Sequence, residues 1–178
     1  MCFDVVVSVD LEGGIGRGGT IPWEIPEDLT RFRDLTRSVQ EENKRNVVIM
    51  GRKTWESLPF RFRPLPQRFN LVLSRAHDVC LPGAFICKSL EEALDFSQKG
   101  DFERVFIIGG STLYKEALGH PECIRVYLTR IRKTFSCDVF FPEIPEEFVL
   151  EVGGEIKRYK GTEYNFETYV RRGIQSES

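Results

Sequence analysis

Asn46-Val47-Val48-Ile49-Met50-Gly51-Arg52-Lys53-Thr54 decides the fold class. Its apolar run has strand length, and branching at Cβ suits a pleated surface. No polar residue alternates within Val47-Val48-Ile49-Met50. Such a strand is covered on both faces, as in a parallel sheet with helices on each side. Gly51 ends the run, and Arg52-Lys53-Thr54 opens a short helix reaching Leu58. The pattern repeats downstream. Val105-Phe106-Ile107-Ile108 is followed by Gly109-Gly110-Ser111-Thr112 and a helix expected over residues 111–118.

Working outward, further β-rich runs occupy residues 3–9, 69–74, 84–87 and 124–131, beside the two at 46–50 and 104–108. Tyr164-Asn165-Phe166-Glu167-Thr168-Tyr169-Val170 alternates instead, which predicts an antiparallel edge strand. Pro26 suits the first turn of a helix running to about Val39. Ser89 with Glu92 forms a capping box that opens a helix through Leu94. Strands alternating with helices predict an α/β fold with a mostly parallel sheet. No repeat or linker divides the chain, so one domain is expected over residues 1–178, with a frayed polar tail at 175–178.

The chain carries 25 basic and 27 acidic residues, a formal charge of −2, and is 41% hydrophobic. That balance offers no polybasic face, so neither nucleic acid nor an anionic membrane is an expected partner. The apolar runs fall far short of the ~20 residues of a membrane span. Met1-Cys2-Phe3-Asp4 lacks the basic and apolar segments of a signal peptide, and a cytoplasmic chain is expected. Cys2, Cys80, Cys87, Cys123 and Cys137 show no CxxC spacing, and only His77 and His120 could join them. No metal site is expected; the cysteines read as reduced, mostly buried thiols.

Asp28, Phe32, Leu35 and Val39 recur at helical intervals and share a face. An acid on an apolar face needs a reason, because burying a carboxylate without a partner is costly. The plainer alternative is an Asp favoured by the helix dipole, a role that Glu27 already fills. Gly14-Ile15-Gly16-Arg17-Gly18-Gly19 matches GxGxxG, but Thr20-Ile21-Pro22-Trp23 follows where a dinucleotide fold needs a helix. A mobile loop over a site is the better reading. The turns at 51–54 and 109–112 both follow buried strands and suit a pyrophosphate held between them. Ser74-Arg75 ends a third strand, where a guanidinium could hold a further phosphate or simply be solvated.

These segments together resemble the dihydrofolate reductase family. Ile21-Pro22-Trp23 with Pro26-Glu27-Asp28-Leu29 and Phe32 is similar to its first signature. The segments at 48–59 and 63–75 are similar to the next two. Phe106-Ile107-Ile108-Gly109-Gly110 with Tyr114, Tyr127-Leu128-Thr129-Arg130-Ile131, Asp138-Val139-Phe140-Phe141-Pro142 and the strand at 164–169 follow in the family's order. The resemblance covers essentially the whole chain. It implies an eight-stranded mixed, mostly parallel sheet with about four flanking helices.

The resemblance also implies the roles. Asp28 would accept hydrogen bonds from the pterin ring, with Trp23 and Thr129 completing the catalytic set. Val6, Val7, Ser8, Ile108 and Tyr114 would line the pterin pocket. Leu29, Phe32, Pro59 and Leu65 would flank the benzoyl group, and Arg68 would pair with the glutamate α-carboxylate. NADPH is the implied cofactor. Thr54 and the Gly109-Gly110-Ser111-Thr112 turn would meet its pyrophosphate, and Arg52, Ser74 and Arg75 would surround the adenosine 2′-phosphate. Gly51, Lys53, Leu73 and Tyr114 would also touch the cofactor. Ser8, Ile15 and Gly16 would lie near the nicotinamide.

Dihydrofolate and methotrexate-type antifolates are the implied ligands, bound by a monomer. Ser8 stands where the family usually has alanine, Asp28 where vertebrate members have Glu, and Phe60-Arg61-Phe62-Arg63 is unusual at the pocket rim. Two rivals are a pyrimidine reductase of the same fold and a non-catalytic folate or NADPH binder. Some relatives carry a fused thymidylate synthase.

Overall fold

The computed structural model describes residues 1–76 and 80–173. His77 and the tail at 175–178 therefore lie outside the described residues. The strands, in chain order, are β1 (Phe3–Val9), β2 (Gly14–Gly16), β3 (Arg45–Gly51), β4 (Arg68–Leu73), β5 (Phe85–Cys87) and β6 (Phe102–Ile107). They continue as β7 (Cys123–Ile131), β8 (Val139–Phe140), β9 (Phe148–Gly153), β10 (Lys157–Tyr159) and β11 (Thr162–Arg171). The helices are α1 (Pro26–Arg37), α2 (Arg52–Ser57), α3 (Leu90–Lys99) and α4 (Ser111–Gly119).

Among the described residues the main sheet has nine strands, ordered β10-β11-β7-β1-β6-β3-β4-β5, with β9 also on β11. The six strands from β7 to β5 pair in parallel, and β11 runs antiparallel on β7. The expected mixed, mostly parallel sheet with four helices is present. β2 and β8 form a separate two-stranded sheet.

Alternation along the strands divides the core. Val5, Val7, Val47, Ile49 and Leu71 face α3 and α4 through Leu90, Leu94, Leu113 and Leu118. Val6, Val48, Met50, Val72 and Phe106 form the other face, packed on Phe32 and Leu35 of α1 and Trp55 of α2. Both faces of β3 and β6 are therefore apolar, which explains their unbroken hydrophobic runs.

Several boundaries differ from expectation. α1 stops at Arg37 rather than near Val39. There Asn46 on β3 donates from Nδ2 to the Thr36 carbonyl at 3.1 Å and to that of Ser38 at 2.8 Å. These bonds satisfy carbonyls left over at the helix end. The Ser89 cap forms, with its hydroxyl accepting from the Glu92 N–H at 3.2 Å, but α3 runs on to Lys99. β11 is antiparallel as expected yet is not an edge, because β9 and β10 both lie on its outer side. Of the cysteines, Cys87 and Cys123 are buried, Cys137 is half-buried, and Cys2 and Cys80 are exposed. The expectation of mostly buried thiols therefore fails. No helix among the described residues is long and apolar enough to cross a membrane.

Candidate active site

The C-terminal ends of the parallel strands are where open α/β sheets place ligands, and most candidate residues gather there; Arg68 instead begins β4. α1 crosses the face carrying Val6 and Ser8. Ser8 of β1 registers with Thr129 of β7, and Thr129 registers with Phe166 of β11. Cross-strand partners share a sheet face, so Ser8, Thr129 and Phe166 form one row beneath the start of α1. Asp28 hangs from α1 over that row. The Ser8 hydroxyl donates to Asp28 Oδ2 at 2.6 Å.

Burial holds the Asp28 carboxyl above the ordinary Asp range. The Ser8 hydrogen bond opposes that shift, with smaller opposing effects from Thr129 and Arg31. No ion pair of Asp28 occurs within 4 Å among the described residues. A partly desolvated acid without a paired cation can take hydrogen bonds from a ligand.

Glu27 faces the other way, accepting from Lys157 Nζ and from the Tyr164 hydroxyl. That fastens the start of α1 to β10 and β11. Neighbouring acids on one helix thus take separate tasks, one structural and one facing the sheet.

Trp23 packs edge-on against Phe135, their ring centres 5.3 Å apart. Among the described residues its buried Nε1–H has no hydrogen-bond partner. Tyr114 of α4 donates its hydroxyl to the Val6 carbonyl at 2.8 Å, linking the two faces at the strand ends. Ile108 is buried at the end of β6. The Val7 side chain points to the opposite face, into the core under α3 and α4. It reaches the site only through its backbone.

Farther along α1, Phe32 packs beside buried Leu65. Arg68 is 7% exposed. Its Nε donates to the Pro66 carbonyl at 3.0 Å and one terminal nitrogen donates to Thr36 Oγ1 at 2.8 Å. Desolvation, then Arg37 and Arg33, push its pKa down to about 10. No acid within 4 Å pairs with it among the described residues. A buried guanidinium so placed is a seat for an anion. Leu29 is 59% exposed and Pro59 is exposed, as is the unusual Phe60. These residues form a rim rather than a wall.

The cofactor candidates run along the same strand ends. The Gly51 N–H donates to the Gly109 carbonyl at 2.8 Å, drawing the two glycine turns together. The Gly109–Gly110 peptide is cis, and Gly109 has φ +123°. A Cβ at Gly109 would lie 3.3 Å from the Tyr114 hydroxyl and 3.4 Å from Thr54 Oγ1. The cleft there is thus bare backbone beside hydroxyls, which suits close approach by a diphosphate.

Gly51 registers with Leu73, so Ser74 and exposed Arg75 continue the line one strand farther. Arg52 is drawn aside into an ion pair with Glu56 at 2.7 Å, and Lys53 is exposed. Ser111 donates to the Phe140 carbonyl at 2.6 Å, while Thr112 is exposed. The GxGxxG stretch is not a dinucleotide turn. Ile15 and Gly16 sit on β2 against β8, and residues 17–20 form a tight bridge.

Sequence reasoning missed one contact and one residue of the site. The family resemblance implies Ser8 in the pterin pocket, but not its hydrogen bond to the acid. Arg31 lies on the Asp28 face of α1, with one terminal nitrogen 3.4 Å from Thr129 Oγ1. Its spacing of three from Asp28 was the available signal.

The family model described as dihydrofolate reductase matches residues 2–171. The chain is similar to a dihydrofolate reductase of Sus scrofa, 42% identical over 93% of this chain and 96% of that protein. It is similar to one of Aedes albopictus, 38% identical over 95% of this chain and 97% of that protein. A bifunctional dihydrofolate reductase-thymidylate synthase of Glycine max is 37% identical over 95% of this chain, which spans 33% of that protein.

Proposed function

The chain belongs to the dihydrofolate reductase family, and from that premise we propose that it reduces dihydrofolate to tetrahydrofolate with NADPH. The observation that carries this reading is the Asp28 carboxylate, held by Ser8 over the sheet without a cation paired to it. Such an acid matches the donor edge of a pterin, whose N3–H and 2-amino group both need acceptors. The glycine turns would hold the cofactor's pyrophosphate, and its nicotinamide would supply the hydride for pterin C6.

The remaining work falls to the chain. Asp28 orients and polarises the pterin, and water delivers the proton to N5. Thr129 and the free Trp23 N–H supply polar contacts around the ring. Arg68 takes the α-carboxylate of the glutamate tail, with Phe32 and Leu65 along the benzoyl group. Thr54 and the bare backbone of Gly109 and Gly110 hold the pyrophosphate. Ser74 and Arg75 take the 2′-phosphate, which gives preference for NADPH over NADH. In this reading one domain acts as a cytoplasmic monomer that feeds one-carbon metabolism and thymidylate synthesis, and methotrexate-type antifolates compete at Asp28.

The test is a steady-state assay of NADPH absorbance with and without dihydrofolate. Consumption that requires dihydrofolate and stops with stoichiometric methotrexate supports the reading. Folded protein that binds both ligands without turnover would make it a binding protein instead.

A further inference from the structure

The Arg31 guanidinium is an unexpected guest on this sheet face. It lies 4.5 Å above the Phe166 ring centre and 5.9 Å from that of Tyr127. It is partly buried and has no carboxylate within 4 Å among the described residues. A desolvated cation left without an ion pair costs stability unless something else compensates it. Two aromatic faces and the Thr129 hydroxyl supply part of that compensation. Asp28, one helical turn earlier, is the carboxylate whose charge acts on it.

We propose that Arg31 is a positioning residue for Asp28, fixing both the charge state of the carboxylate and the direction of the Thr129 hydroxyl. This rests on the reading of Asp28 as the pterin-binding acid. Thr129 Oγ1 accepts from Arg31, so its own proton turns away from the guanidinium and is free for a partner on the Asp28 side. Thr129 is 2% exposed, so water cannot easily replace either bond.

A cation one turn away favours the ionised acid and opposes the burial that favours the neutral one. β1 contributes only the neutral Ser8, and β7 offers Thr129 and the phenol of Tyr127. α4 offers the phenol of Tyr114, and β11 that of Tyr164, both held protonated by burial. Glu27 and Lys157 pair with each other. Among the described residues, Arg31 is thus the cation left to act on the acid.

The test uses the whole chain in three forms: wild type, Arg31→Met, which keeps length without charge, and Arg31→Lys, which keeps charge without the planar fork. The direct readout is the carbon-13 titration of the Asp28 carboxyl in the ligand-free protein. It does not depend on any catalytic reading. The expected result is a midpoint about 1 pH unit higher in Arg31→Met, the low end of what a nearby opposite charge does, with Arg31→Lys restoring most of the shift.

The hydride rate with dihydrofolate, followed across pH 5 to 9, should fall with rising pH about a midpoint that moves the same way. If Arg31→Met fails to fold, Arg31→Gln serves in its place. Titration and rate midpoints unchanged in a folded neutral variant would overturn the proposal and leave Arg31 a packing residue. A shifted titration in a protein that never turns over dihydrofolate would uphold the coupling and sink the functional reading alone.

Discussion

Arg68→Met removes the cation proposed to hold the glutamate tail while keeping most of the side chain's bulk. Two donors of the guanidinium already serve the Pro66 carbonyl and Thr36 Oγ1. Of its five N–H groups, enough remain for a bidentate carboxylate. A hydrogen bond to a charged group contributes about 1.5–3 kcal/mol. Taking about 2–3 kcal/mol for the tail contact, to allow for solvent at the rim, the loss is roughly 30- to 160-fold in affinity.

Stability should change little. The Thr36 hydroxyl keeps its bond to the Phe32 carbonyl, and repulsion from Arg33 and Arg37 is relieved. The assay is the Michaelis constant for dihydrofolate beside the inhibition constant of a small diaminopyrimidine without a carboxylate. Dihydrofolate should weaken by the stated factor and the diaminopyrimidine by less than about threefold. Equal weakening of both would show that Arg68 shapes the pocket and does not bind the tail.

Arg75→Ala should weaken NADPH binding roughly 10-fold or more and leave NADH unchanged, read by fluorescence titration; equal losses would refute the 2′-phosphate assignment. Gly109→Ala puts a side chain at φ +123° against Thr54 and Tyr114. It should lower the melting temperature by several degrees, from strain of about 1–3 kcal/mol, and weaken NADPH; a neutral effect on both would deny the close approach. Burial raises the Asp28 pKa, so the folded chain holds that proton more tightly than the unfolded chain. Above its folded pKa the ionised group therefore costs stability, and Asp28→Asn should melt no lower than wild type at pH 7. That advantage should fade as pH falls towards the ordinary carboxylate value of about 4, as melting curves across pH would read.

The parallel core was legible because burial on both faces leaves unbroken apolar runs, as in β3 and β6. The α1 stripe was legible in Asp28, Phe32 and Leu35 because one face of the helix packs on the sheet, which leaves helical spacing. β2, β8, β9 and β10 were not. They are short or mostly exposed, and β9 and β10 exist only because β11 offers them an edge. The end of α1 depended on Asn46, which arrives from a different strand.

Within the site, Asp28 and the glycine turns could be read from local chemistry, with the family resemblance supplying their roles. The contacts of Ser8 and Arg31 could not, because each depends on strand register and on where α1 crosses the sheet. The split between Val6 and Val7 was available in principle from strand alternation.

The pre-steady-state hydride rate reports on what Asp28 does to bound dihydrofolate. Wild type and Asp28→Asn are mixed with NADPH and dihydrofolate in a stopped-flow instrument at pH 5 to 9. At neutral pH the variant should be slower by roughly 10²- to 10⁴-fold, the usual cost of a lost acid–base group. It should recover partly at low pH, where solution protonates the substrate unaided. A folded variant that transfers hydride at the wild-type rate at neutral pH would contradict the account and return Asp28 to a residue of the helix start.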